Sequence, residues 1–264
     1  MAIKLIALDL DGTLLTSDKR ITTRTKDIIA RAMARGVTVT IATGRMLRSA
    51  VYFARLLASD APVICCNGGY VGRAEGAPVF ARYFDPLLAR EFLTFCYEQD
   101  WYVNWYRGMD IYAPMYREDY FAAYRTTANF VVNEVGNDYL RYTENVPQFV
   151  LRNLAEGISL YLKAVQERFG DAVLPQQNTG TSLDINPPGV SKAVGVQALA
   201  DAMGLTLDEV MVAGDVDNDF EMLEMGAFSV VPENGLPAAK ERASYVTASN
   251  DANGIAAAIE KFVL

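Results

Sequence analysis

Asp9-Leu10-Asp11-Gly12-Thr13-Leu14 follows directly on an apolar run that begins at Ile3. Side chains alternate along an extended segment, so carboxylates at positions i and i+2 are expected to point the same way. Two such anions repel one another unless a cation joins them. Hard oxygen ligands select magnesium, and Gly12 lets the chain turn away from the site. A second acidic group, Gly214-Asp215-Val216-Asp217-Asn218-Asp219, also ends an apolar run. Asp215 can supply a further metal carboxylate, with Asn218 and Asp219 completing or orienting the shell. Two isolated residues join them. Thr43, before Gly44-Arg45, has a hydroxyl that can donate to a phosphoryl oxygen; read alone it is an N-cap. Lys192 lies in the first turn of an expected helix, where a cation opposes the helix dipole. A nearby phosphate rationalises it; read alone it is a solvated lysine.

These residues need elements to carry them. Residues 3–9, 37–42 and 62–66 read as strands buried on both faces. They end at Asp9, Thr43-Gly44-Arg45 and Asn67-Gly68-Gly69. Residues 23–35, with Thr22 or Thr23 as N-cap and Gly36 as stop, and residues 46–58 read as helices. This alternation predicts a parallel sheet with flanking helices, and such sheets bind ligands beyond the carboxyl ends of their strands. From about residue 83 to 185 the rhythm changes. Strands are expected at 101–106, 110–113, 149–152 and 182–185, and helices at 87–98, 117–126 and 155–169. This is an inserted α+β segment rich in Tyr, Trp and Phe, most of which read as its core. After Pro187-Pro188-Gly189 the first rhythm resumes. A helix capped by Ser191 runs to Met203, Thr206–Glu209 fits a capping box, and strands follow at 210–213 and 228–231. Helices at 218–225 and 254–262 complete the reading.

Composition removes several classes of function. The chain of 264 residues has no histidine, which excludes Ser-His-Asp and Cys-His catalysis and histidine-containing zinc sites. Its net charge of −8 opposes nucleic acid binding. Three cysteines make no disulfide framework in a chain this long and read as small core residues. No apolar run reaches the ~18 residues of a membrane helix, and the N-terminal residues lack a signal-peptide layout. A cytoplasmic protein without membrane contact is expected. No heptad or long apolar stripe specifies an oligomeric state.

Taken in order, Asp9-Leu10-Asp11-Gly12-Thr13, Thr43, Lys192 and Gly214-Asp215 with Asn218-Asp219 resemble the four motifs of the haloacid dehalogenase superfamily. The resemblance covers essentially the whole chain. It is closest to the Cof-type phosphatases of subclass IIB, which carry a large C2-type cap between the second and third motifs. Ala193 departs from the glycine expected after the lysine. The resemblance implies a Rossmann-like catalytic core at 1–82 and 186–264 and a cap, acting as a lid, at 83–185. It implies magnesium held by Asp9, Asp11 (through its backbone carbonyl), Asp215, Asn218 and Asp219. Asp9 is then the nucleophile and Asp11 the general acid and base. Thr43, Gly44 and Lys192 hold the phosphoryl group, and Asn67-Gly68 matches a segment near the substrate. The implied reaction is hydrolysis of small phosphomonoesters such as sugar phosphates, through an aspartyl-phosphate. Three other readings are open: a phosphosugar mutase with the same nucleophile, a non-catalytic metabolite sensor, and a protein with a structural calcium loop.

Overall fold

Val210–Ala213, Leu5–Leu8 and Thr38–Ile41 are short, β-branched or aliphatic, and almost wholly buried. Such strands are stable where both faces of a sheet are covered. The computed structural model describes residues 2–121, 130–152, 157–179 and 181–264. In chain order the first part contains β1 (Leu5–Leu8), α1 (Thr23–Ala34), β2 (Thr38–Ile41), α2 (Leu47–Leu56), β3 (Val63–Cys65), β4 (Tyr70–Gly72) and β5 (Phe80–Ala81). The inserted part contains α3 (Pro86–Glu98), β6 (Tyr102–Arg107), β7 (Asp110–Ala113), α4 (Glu118–Phe121), β8 (Val132–Glu134), β9 (Phe149–Arg152), α5 (Ser159–Phe169), β10 (Leu174–Thr179) and β11 (Ser182–Asn186). The last part contains α6 (Lys192–Ala202), β12 (Val210–Ala213), α7 (Phe220–Glu224), β13 (Phe228–Pro232), α8 (Pro237–Arg242), β14 (Tyr245–Thr247) and α9 (Gly254–Phe262). The chain forms two compact units. One comprises Met1–Arg45, Ala50–Phe80 and Ser191–Leu264; the other comprises Met46–Ser49 and Ala81–Val190.

The first unit is built on a parallel sheet in the order β14-β13-β12-β1-β2. Leu5 to Leu8 pair in register with Val210 to Ala213 on one side and Thr38 to Ile41 on the other. A parallel bridge from Ala42 to Ile64, with Thr43 N–H donating to Ile64 O at 2.9 Å, carries the pairing on to β3. β3 also pairs antiparallel with β4, in a small sheet completed by β5. Leu5, Ala7, Val210 and Val212 point to the same face and join Val196, Leu199 and Ala200 of α6 in one apolar cluster. The caps are those the sequence implies. Thr22 Oγ1 accepts from Thr25 N–H at 3.1 Å, Ser191 Oγ from Val194 N–H at 3.4 Å, and Thr206 with Glu209 forms a capping box.

The second unit is a six-stranded sheet in the order β10-β11-β9-β6-β7-β8, antiparallel except between β7 and β8. Alternate residues Val103 and Trp105, Phe149 and Leu151, Leu183 and Ile185 form one buried face against Phe92, Leu93 and Cys96 of α3 and Val165 and Phe169 of α5. Trp105 Nε1–H donates to Tyr142 O at 2.9 Å, so the indole is buried without an unmet donor. The aromatic residues largely serve as this core. Strands β8 and β10 were not anticipated from the sequence; Leu174–Thr179 contains a proline and two glutamines, with little apolar alternation. The helix expected at 117–126 is seen as α4 over Glu118–Phe121, and residues 122–129 lie outside those described. Among the described residues no helix is long and apolar enough to cross a membrane.

Candidate active site

β1, β2, β3 and β12 of the first unit deliver Asp9, Thr43, Asn67 and Asp215 just beyond their last residues. Asp9 N–H still donates to Ala213 O at 2.9 Å, so Asp9 is held by the end of the ladder. The chain then turns: Leu14 N–H returns to Asp9 O at 3.2 Å and Leu15 N–H to Leu10 O at 2.8 Å. Gly12, at φ +84°, makes this turn, and a Cβ there would lie 2.2 Å from Asp215 Oδ2. Only glycine lets the turn approach Asp215 so closely.

Asp9, Asp215 and Asp219 are buried, and each offers a ligand atom within 4.8 Å of the others. Lys192, at the start of α6, sends its ammonium into this cluster and donates to Asp9 Oδ1 and Asp219 Oδ1, each at 2.7 Å. Asp219 Oδ2 accepts from the backbone N–H groups of Asp215 at 2.9 Å and Val216 at 3.2 Å. Thr13 Oγ1 donates to Asp215 Oδ1 at 2.7 Å. Both oxygens of Asp219 are therefore engaged. Among the described residues, Asp9 Oδ2 and Asp215 Oδ2 take no protein donor.

The electrostatics follow from burial and crowding. Burial pushes the Asp9 carboxyl up, Lys192 pulls it down, and Asp219 and Asp215 push it up again, to about 8. Burial also raises Asp215, against the Thr13 hydroxyl and with help from Asp219, to about 6. Burial by itself would lower the Lys192 ammonium, but Asp219 and Asp9 outweigh it and hold it above the usual lysine range. Three carboxylates around one ammonium leave an excess of buried negative charge, which a bound cation relieves. The donors are all hard oxygens, so the cluster fits a hard divalent cation.

Asp11 has a different setting from the one expected for two carboxylates facing one ion. The strand ends at Leu8, and the turn rolls the Asp11 side chain out of the buried cluster. Arg45 grips it with both prongs, Nε to Oδ2 and Nη2 to Oδ1, each at 2.7 Å, and Lys19 Nζ donates to Oδ1 at 2.7 Å. Burial would raise this carboxyl, but the two cations hold it down at about 2. Thr43 is buried, and its Oγ1 accepts from Arg45 N–H at 3.2 Å instead of capping a helix. A Cβ on Gly44 would lie 2.7 Å from Asn67 Oδ1, and one on Gly68 would lie 1.9 Å from Ser191 O. Asn218 Nδ2 donates to Asn67 Oδ1 at 3.1 Å. Asp9, Asp215, Asp219 and Lys192 thus meet directly; Asn67, Gly68, Gly44 and Asn218 meet in an adjoining turn; Asp11 stands with Arg45.

Three further residues hold the site together: Thr13, Lys19 and Asn234. Thr13 lies inside the acidic hexapeptide, so its place was readable there. Lys19 carried no local signal. Asn234 bridges distant loops, donating to Gly12 O at 2.7 Å and accepting from Asn250 N–H at 2.9 Å, and no sequence spacing announces such a bridge.

A parallel α/β sheet thus holds a buried carboxylate–lysine cluster at its strand ends. The family of haloacid dehalogenase-like hydrolases matches residues 6–259 of the chain. A candidate phosphatase of Streptococcus pyogenes serotype M6 is 32% identical over 280 residues, covering 100% of both chains. The 5-amino-6-(5-phospho-D-ribitylamino)uracil phosphatase YitU of Bacillus subtilis is 29% identical over 269 residues, covering 98% of this chain and 97% of its own. The crystal structure of a haloacid dehalogenase-like hydrolase from Bacteroides thetaiotaomicron superposes with a TM-score of 0.89 at 25% identity, over 98% of this chain and 99% of that one. This chain belongs to the haloacid dehalogenase-like hydrolases, and within them it is a phosphatase.

Proposed function

We propose that the chain is a magnesium-dependent phosphatase that hydrolyses phosphomonoesters of small metabolites, sugar phosphates or similar, through an aspartyl-phosphate on Asp9. Residues 1–82 and 186–264 form its catalytic core in this reading, and residues 83–185 its cap. The observation that carries it is the buried meeting of Asp9, Asp215 and Asp219 within 4.8 Å. The names of relatives are consistent with such substrates: YitU acts on a phosphorylated ribityl compound by its name.

In this mechanism Asp9 Oδ2 attacks phosphorus, and the bond from phosphorus to the leaving oxygen breaks. Asp11 gives a proton to that oxygen, then takes one from the water that attacks the aspartyl-phosphate, releasing phosphate and restoring Asp9. For this Asp11 must leave the grip of Arg45 and Lys19 when substrate arrives. Lys192 offsets charge on the phosphoryl oxygens, and Thr43 and the Gly44 backbone hold them. Magnesium would be held by Asp9, Asp215 and the Asp11 backbone carbonyl, with Asn218 completing the shell and Asp219 orienting it. When bound, it supplies charge neutralisation that lets an anionic nucleophile meet an anionic substrate.

The test is a phosphate-release screen over a panel of phosphometabolites with magnesium, with Asp9→Asn beside the wild type. The variant keeps the side-chain shape, removes the nucleophile and is expected to release no phosphate above background. EDTA is expected to stop the wild-type reaction. Normal turnover by the variant, or turnover in EDTA, excludes this mechanism.

A further inference from the structure

Three consecutive residues after β3 carry positive φ: Cys66 at 51°, Asn67 at 52° and Gly68 at 90°. Left-handed backbone is strained for most side chains, and asparagine is among the few that adopt it readily. Cys66 N–H donates to Arg45 O at 3.0 Å and Asn67 N–H to Thr43 O at 3.2 Å, fastening the turn to the loop after β2. Gly44 and Gly68 leave no room for a Cβ against Asn67 Oδ1 and Ser191 O, so the turn is wedged between that loop and the start of α6. The Asn67 side chain is therefore fixed as well as buried. Its Oδ1 accepts from Asn218 Nδ2 at 3.1 Å. With its NH2 engaged there, Asn218 keeps a buried carbonyl oxygen, Oδ1, that takes no donor among the described residues. Buried acceptors without partners are rare in native proteins, and one in a site calls for a ligand to answer it.

We propose that Asn67 is a positioning residue that does not touch substrate: it acts through Asn218, turning the Asn218 amide so that its carbonyl oxygen is presented to a hydrated divalent cation. The inference rests on the metal-dependent reading above and adds the group that orients one of its oxygens. It also explains why a strained turn carries asparagine. The left-handed backbone aims the side chain, and the amide oxygen does the orienting.

A double-mutant cycle tests it with four proteins: wild type, Asn67→Gly, Asn218→Ala and the double variant. Glycine keeps the left-handed backbone and deletes only the amide. Each protein is titrated with magnesium chloride and followed by its melting midpoint, with kcat and KM on p-nitrophenyl phosphate measured in parallel. Asn67→Gly is expected to melt somewhat below wild type in EDTA, because a buried hydrogen bond is lost, and to need about tenfold more magnesium for the same rise in midpoint above its own EDTA value, the scale of one lost outer-shell partner. Asn218→Ala is expected to lose as much, and the double variant no more than Asn218→Ala. A wild-type titration curve for Asn67→Gly, additive losses in the double variant, or a wild-type midpoint indifferent to magnesium overturns the proposal. The titration needs no turnover, so inactivity on p-nitrophenyl phosphate would count against the phosphatase reading while the coupling is still decided.

Discussion

Lys192 Nζ lies 2.7 Å from Asp9 Oδ1, with 1% of the lysine side chain and 6% of the aspartate exposed. The same ammonium reaches Asp219 Oδ1 at 2.7 Å. A lysine at the first turn of a helix opposes the helix dipole, so its place is not set by α6. Two buried carboxylates set it. Replacing the ammonium by an apolar group of similar length leaves both carboxylates buried without their counterion. Lys192→Met is expected to lose about 3–5 kcal/mol of stability, the cost of breaking a buried ion pair from one side. Urea denaturation in EDTA measures it as a lower midpoint with an unchanged slope. A loss below about 1 kcal/mol would mean that the pair contributes no more than an exposed one.

The cluster also fixes the direction of the pH dependence. Asp9 is raised to about 8 and Asp215 to about 6 from an ordinary value of 3.8. Between those limits the native state binds more protons than the unfolded chain. Stability must therefore fall as pH rises from about 4 to 8. Asp9→Asn removes the larger contribution, so its stability is expected to be flatter over that window. The measurement is the urea midpoint at pH 5 and pH 8 in EDTA for both proteins. Magnesium is expected to reverse the slope in the wild type, since the ionised carboxylates are its ligands. A wild type that gains stability from pH 5 to 8 without metal contradicts this account of the cluster.

Much of this site was legible in the sequence, because its residues sit where short buried strands stop. Asp9, Thr43 and Asp215 each follow an apolar run, and strand ends of a parallel sheet converge on one edge. The helix caps at Thr22 and Ser191 were readable for a similar reason: their bonds close within three residues. The Asp11 side chain was not. Alternation predicts its direction only while the strand lasts, and here the strand ends at Leu8. Its partners, Arg45 and Lys19, are chosen by a turn whose geometry depends on contacts far along the chain, including Asn234 to Gly12 O. Strand β14 is not legible in the sequence because Tyr245–Thr247 is too short to show a period.

Arg45 sets a second, opposite pH dependence. Burial would raise the Asp11 carboxyl, but Arg45 and Lys19 hold it at about 2. A depressed carboxyl stabilises the fold above its unfolded value near 3.8, and that contribution vanishes as pH falls through about 2. In Arg45→Met only Lys19 remains, and the carboxyl moves back toward its ordinary value. The variant is expected to melt below the wild type at pH 5, with the gap closing as pH falls from 4 to 2. Melting curves across that range test it. A gap that is constant with pH would assign the loss to Arg45 packing, including its guanidinium 5.2 Å from the Phe53 ring centroid, and not to Asp11.

Gly68 and Gly76 separate two reasons for glycine at nearly the same backbone angle. Gly68 has φ +90° and Gly76 φ +89°. Alanine at either pays the left-handed penalty of about 1–2 kcal/mol. Around Gly76 nothing lies within 4 Å of a Cβ, whereas at Gly68 the Cβ would lie 1.9 Å from Ser191 O. Ser191 caps α6 and Lys192 is the first residue of that helix, so relief of the clash must move either the turn carrying Asn67 or the segment carrying Lys192. Gly76→Ala is therefore expected to lose only the backbone penalty and keep its phosphatase rate. Gly68→Ala is expected to lose clearly more stability and at least tenfold in kcat/KM. Urea midpoints and initial rates on p-nitrophenyl phosphate for the pair decide it. Equal losses in both would mean that the α6 start yields without cost, and that the close approach of the two segments does not hold Lys192 in place.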